Sequence, residues 1–112
     1  MKKKIYDLGQ IEAISAGNNE FVAKMVNMFL DTTPDHLAQI GEFIQTEQWK
    51  EVGLIAHKIK PSIDLMGIEA LHDVIRSIEQ SGKNEENLDE LPGLYATLSH
   101  TLNKVFEELK NR

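Results

Sequence analysis

The apolar residues between positions 49 and 66 recur at steps of +3, +4, +3, +4 and +3: Trp49, Val52, Ala56, Ile59, Ile63 and Met66. An α-helix turns about 100° per residue, so steps of three and four return to the same side. This spacing predicts one helix with a single buried stripe, from about residue 47 to residue 66. Phe21, Val22, Met25, Met28 and Phe29, followed by Leu37, Ile40 and Ile44, mark a long helix before it. Ile68, Leu71, Val74, Ile75 and Ile78 mark a helix after it, and Leu94, Leu98, Leu102, Val105 and Leu109 a last one. No segment alternates with the period of two that a half-buried strand shows. Such stripes must face one another to leave water. The expected fold class is therefore all-α, an antiparallel up-down four-helix bundle with a short N-terminal helix over one end.

Local signals set the expected boundaries. Asp7 with Gln10 three residues on reads as a capping box for the short helix, which Gly17 ends after Ala16. Asn18 or Asn19 caps the long helix. At Pro34 either Thr33 caps a fresh segment or one long helix kinks, and the kink is the favoured reading. Gly67 closes the third helix, Ser81-Gly82 stops the fourth, residues 83–90 read as a polar loop, and Leu91-Pro92 opens the last helix.

A chain of 112 residues suits one domain over residues 1–112. It has no cysteine, which excludes disulfide and thiolate chemistry and fits a cytoplasmic location. Its net charge of -6 speaks against nucleic acid, which needs a basic face. Lys2, Lys3 and Lys4 read as a solvated tail, and no apolar run follows them that could serve as a signal peptide or a membrane span. There is no glycine-rich phosphate loop, no HExxH and no related metal spacing. The stripes are apolar, whereas a metal-binding bundle points carboxylates and histidines inward, so no metal or cofactor is expected in the chain.

The stretch Ala56-His57-Lys58-Ile59-Lys60-Pro61-Ser62-Ile63-Asp64-Leu65-Met66-Gly67 carries the chemistry. His57 lies more than a quarter-turn from the centre of the buried stripe and faces outward. Gly53, His57, Lys60 and Asp64 share a line along the helix. Helical side chains lean toward the N-terminus, so the imidazole lies over the turn of Gly53, where no side chain crowds it. Leu54, Pro61 and Leu65 form an adjoining apolar line. Pro61 lacks the amide that would bond the carbonyl of His57, a defect that costs roughly 3 kcal/mol inside a helix.

These residues resemble the histidine-containing phosphotransfer (HPt) family, whose signature reads approximately A-H-x-[LI]-K-G-S-x-x-x-[LM]-G. Ala56, His57, Ile59, Lys60, Ser62, Met66 and Gly67 match in register. The likeness extends along nearly the whole chain. It implies a four-helix bundle that carries a phosphoryl group on His57 between aspartates of response-regulator receiver domains. The donor side implies a hybrid histidine kinase, and the magnesium ion belongs to the partner receiver domain. A neutral imidazole nitrogen is a nucleophile that needs little activation. Lys60, on the line of His57, suits the phosphoryl oxygens. In the family a Glu or Gln near the end of the next helix often orients the imidazole, and Glu79 stands there, with Gln39 a weaker candidate. Gly53, Leu54, Lys58, Pro61, Asp64 and Leu65 are the expected docking positions. One departure is plain: the family usually has glycine directly after the motif lysine, where this chain has Pro61.

His36, His72 and His100 read as ordinary surface or satisfied residues. Ser62 is expected to bond backbone or to pack beneath the histidine, and Gly67 only to end its helix. A sensor-kinase dimerisation domain also places a proline shortly after its histidine, but builds its bundle from two chains. Four helices in one chain lead instead to an expected monomer. A helical adaptor that binds without phosphorylation is the alternative from another class.

Overall fold

The computed structural model describes residues 5–112; residues 1–4, with the expected lysine tail, lie outside the described part. Five helices follow in order: α1 Gly9–Ser15, α2 Asn19–Gln45, α3 Trp49–Leu65, α4 His72–Asn84 and α5 Leu91–Lys110. Short 3-10 turns, Glu69–Leu71 and Leu88–Glu90, lead into α4 and α5. No strand occurs among the described residues. In the bundle α2 touches α3, α3 touches α4, α4 touches α5 and α5 returns to α2. Only residues 46–48 separate α2 from α3, a link short enough to force antiparallel neighbours.

The expected stripes form most of the core, but Phe21 and Met28 of α2, expected on its buried face, are exposed. Val52, Ala56, Ile59, Ile63 and Met66 of the α3 segment are buried, as are Leu37 and Ile40 of α2, Ile75 and Ile78 of α4, and Leu98, Leu102 and Val105 of α5. Each such aliphatic side chain contributes roughly 1.5–3 kcal/mol through burial. Phe29 and Phe106 tilt against each other at 5.6 Å. Tyr95 bridges α5 to α2 through a hydrogen bond from its hydroxyl to the Leu37 carbonyl, 3.2 Å. Gly41 makes room for it: a Cβ there would stand 2.5 Å from the Tyr95 oxygen.

Helix α2, with 27 residues, is roughly 40 Å long at 1.5 Å per residue, nearly the full 43 Å of the molecule. Asn18 caps it, its Oδ1 accepting from the amides of Glu20 and Phe21. The helix runs unbroken through Pro34, so the alternative of a fresh segment capped by Thr33 falls away. Helix α1 packs on α2, and Ile11 within it and Tyr6 just before it are buried. The expected capping box does not form. Asp7 turns its own Oδ1 to the Gly9 amide, 2.8 Å, and its amide donates to the Met66 carbonyl, 2.9 Å, not to Gln10.

That bond ties the N-terminal segment to the end of α3 and gives Gly67 a second task. The Ile68 amide donates to Ile63 and the Gly67 amide to Asp64, the paired bonds of a Schellman stop. Gly67 holds φ +63, and a Cβ there would lie 2.6 Å from the Asp7 carbonyl oxygen. Gly67 therefore ends α3 and also lets the N-terminal strap lie flat. No helix among the described residues is long and apolar enough to cross a membrane.

Candidate functional site

Helix α4 does not stop at Gly82 as expected; it continues to Asn84. Both Gly82 and Gly53 are buried at the crossing of α3 and α4. A Cβ on Gly82 would stand 2.5 Å from the Gly53 amide nitrogen, and one on Gly53 would stand 2.8 Å from the Lys83 amide nitrogen. The two helices thus touch backbone to backbone. Gly53 lines the groove beside His57, but its missing side chain serves the crossing first.

One turn along from this crossing, α4 brings Glu79 against α3. Glu79 Oε2 lies 2.6 Å from His57 Nδ1, and Glu79 Oε1 accepts from Lys60 Nζ at 2.7 Å. Burial pushes the Glu79 carboxyl up. Hydrogen bonds from Lys60 and His57, with the charges behind them, outweigh it and hold the group below the ordinary carboxylate range. Glu79 is therefore ionised at neutral pH and can only accept. Nδ1 must then carry the proton of a neutral His57, which leaves the lone pair on Nε2. The His57 side chain is 68% exposed, that of Glu79 only 18%. The ring is gripped on its inner edge and open on its outer edge.

Lys60 was expected to face phosphoryl oxygens. Its side chain is 26% exposed and its ammonium is held by Glu79, because the carboxylate lies between the α3 line and α4. A groove of about 410 Å³ runs beside the imidazole, lined by Lys50, Gly53, Leu54, His57, Glu79 and Lys83. Lys50 and Lys83 carry no signal in the sequence that would single them out.

The remaining expected positions divide. Leu54 is 57% exposed, and Lys58 and Pro61 are exposed beside His57. Asp64 is engaged by both terminal nitrogens of Arg76, at 3.1 and 2.6 Å. That bidentate bond holds the Asp64 carboxyl below its usual range, ahead of the opposing effect of burial, and staples α3 to α4 beyond Pro61. Leu65 is half-buried against the core and shares a depression with Met25, Met28 and Thr32 of α2, so the line that begins at exposed Leu54 ends against α2. Ser62 lines that same depression and does not lie beneath the histidine. Gln39 stands exposed on α2, and Glu79 takes the ring nitrogen. His72 pairs with Asp73 at 2.9 Å on the surface, and His100 is exposed. No group of three or more histidine, aspartate and glutamate side chains able to hold a metal ion occurs among the described residues.

A histidine held by one nitrogen and presented by the other, on the middle of an all-α bundle, is the arrangement of a phosphotransfer domain. The chain belongs to the Hpt domain family, which it matches over residues 24–111. It is similar to the phosphorelay intermediate protein rdeA of Dictyostelium discoideum, with 27% identity over 108 residues, 96% of this chain. The match spans 42% of the length of that relative. No solved structure matches the chain significantly.

Proposed function

We propose that this protein is a histidine phosphocarrier of a two-component phosphorelay, with His57 as its phosphorylated residue. The observation that carries the reading is the 2.6 Å bond between His57 Nδ1 and Glu79 together with the open Nε2 edge. In the transfer step the Nε2 lone pair attacks the phosphorus of an aspartyl phosphate on a receiver domain. The N–P bond forms, the bond from phosphorus to the aspartyl oxygen breaks, and the aspartate leaves as carboxylate. The proton on Nδ1 stays in place, so the phosphorylated ring is cationic and Glu79 stabilises it. The reverse attack, by an aspartate of a second receiver, returns the ring to its neutral form.

Lys60 keeps Glu79 ionised and adds positive potential beside the ring. A receiver domain brings its own magnesium ion and acidic pocket, so most of the catalysis belongs to the partner and the chain acts as carrier rather than enzyme. Leu54, Lys58 and Pro61 form the exposed rim on which such a domain docks, and a hybrid histidine kinase stands at the head of the relay. The chain works as a monomer in the cytoplasm; a core built from the helices of one chain supports the monomer.

Incubation with a phosphorylated receiver domain, followed by intact mass, tests the reading. The expected result is one phosphoryl group on the wild type, labile in acid, stable in base, and absent from His57→Gln. A folded wild type that takes no phosphoryl group from several donors would refute it and favour an adaptor role.

A further inference from the structure

Where α4 ends and α5 begins, the two enclose a depression of about 190 Å³. Gln80 and Ser81 of α4, Glu86 and Asn87 of the link, and Glu90 and Leu94 at the entry to α5 line it. At about 100° per residue, Ser81 stands roughly 200° round the helix from Glu79, so the depression opens on the side of α4 away from His57. Neither Glu86 nor Glu90 pairs with a cation among the described residues. The Glu86 carboxylate accepts from Gln80 Nε2 alone, at 3.4 Å.

Ser81 points to a ligand. The residue is 5% exposed. Its carbonyl takes the amides that end α4, from Glu85 and from Glu86 at 3.2 Å. Its hydroxyl makes no hydrogen bond with any described residue, not even the backward bond to a carbonyl four residues earlier that a serine inside a helix can form. Polar groups at such depth are nearly always hydrogen-bonded, so this hydroxyl calls for a partner from outside the chain. Around it stand two carboxylates without a cation and the side-chain oxygen of Asn87, with Leu94 as an apolar wall.

We infer that this depression binds a primary alkylammonium, the head of a small aliphatic amine. An ammonium group offers three donors and no acceptor, and Glu86, Glu90 and the Ser81 hydroxyl supply an acceptor to each. The methylene stem lies on Leu94 and leaves water there. A calcium ion fits less well, because it takes about six to eight oxygens and no further acid lines the depression. A bound amine ties the end of α4 to the start of α5 and stabilises the fold by mass action.

The test follows 1H–15N spectra of the full chain during titration with butylamine. Tetramethylammonium at equal ionic strength is the control, a cation with no N–H to donate. The expected result is saturable shifts confined to the amides around residues 80–94 with butylamine alone, and a Tm that rises with its concentration. Ser81→Ala should bind about tenfold more weakly, since it loses a bond to a charged group. The double variant Glu86→Gln, Glu90→Gln, altered only at exposed positions, should stay folded and bind less still. Nα-acetyl-lysine amide stands for a lysine of a partner protein and should bind more weakly than butylamine, because its backbone groups have no place in so small a depression. Tighter binding of the lysine derivative, unchanged binding in Ser81→Ala, saturable shifts with calcium chloride and none with butylamine, or identical shifts from both ammonium ions would each overturn the assignment. In that last case water serves the Ser81 hydroxyl. Phosphorylation of His57 is independent of every one of these outcomes.

Discussion

Gly82→Ala sets two effects of opposite sign against each other. Alanine is the better helix former by roughly 1 kcal/mol at an interior position, so propensity alone makes the variant more stable. The crossing says otherwise. The new Cβ would meet the Gly53 amide nitrogen at 2.5 Å, the Trp49 carbonyl oxygen at 2.7 Å and the Gly53 Cα at 2.9 Å, all backbone atoms that cannot rotate away. Ordinary contact begins at 3.4 Å, so α4 must retreat from α3 by about 1 Å. Overpacking of this kind costs roughly 1–3 kcal/mol, and the retreat also stretches the Glu79 bonds to His57 and Lys60 beyond hydrogen-bond length. Bonds to charged groups contribute roughly 1.5–3 kcal/mol, reduced at the exposed His57. The expected net loss is about 2 kcal/mol, or a fall in Tm of about 8 °C for a domain of this size. Thermal denaturation reads the first consequence and 15N NMR of the imidazole the second, as loss of the uniform Nδ1–H tautomer. A Gly82→Ala protein that melts at or above wild type with the tautomer unchanged would refute the reasoning.

Glu79→Ala removes the acceptor of two bonds and leaves Lys60 without its partner in a site only 26% exposed; it should destabilise by roughly 2 kcal/mol in urea and lower phosphotransfer, while Glu79→Gln, still able to accept from Nδ1, should retain more of both. The Glu79 carboxyl lies below its ordinary value in the fold, so its contribution is fully present above the unfolded value, about 4.3, and is lost as pH falls through the lower folded value. Urea unfolding of wild type against Glu79→Gln should show the difference shrink on acidification, and a constant difference down to the lowest folded pH would contradict this. Glu47 ends α2 with φ 57 in a conformation that costs a side chain roughly 1 kcal/mol, so Glu47→Gly should raise stability by up to that amount in thermal denaturation.

The buried faces were legible because helical periodicity alone decides which residues leave water. The exposure of His57 followed from the same arithmetic, since a residue off the stripe by more than a quarter-turn has nowhere else to point. Glu79 was reached through the family resemblance, and the carboxylate proves to lie on the ring nitrogen. What escaped reading depends on contacts between segments. Ser81-Gly82 has the form of a helix stop, yet Gly82 is glycine because α3 lies on it. The signal was present in its pairing with Gly53, a second glycine inside a helical pattern with no turn to explain it. Gly67 looked like a simple stop because nothing local announces that Asp7 crosses it. The Glu47 and Glu85 stops could not be foreseen, since glutamate is an unusual left-handed residue. Lys60 was assigned from its line with His57, and a line on one helix cannot show that Glu79, from the next helix, bonds the ammonium.

The most direct test of the account is to locate the phosphoryl group on the 15N-labelled protein by 31P–15N correlation. The group should sit on Nε2 of His57, with Nδ1 still protonated and bonded to Glu79. A phosphoryl group on Nδ1 of His57, or on His36, His72 or His100, would contradict it.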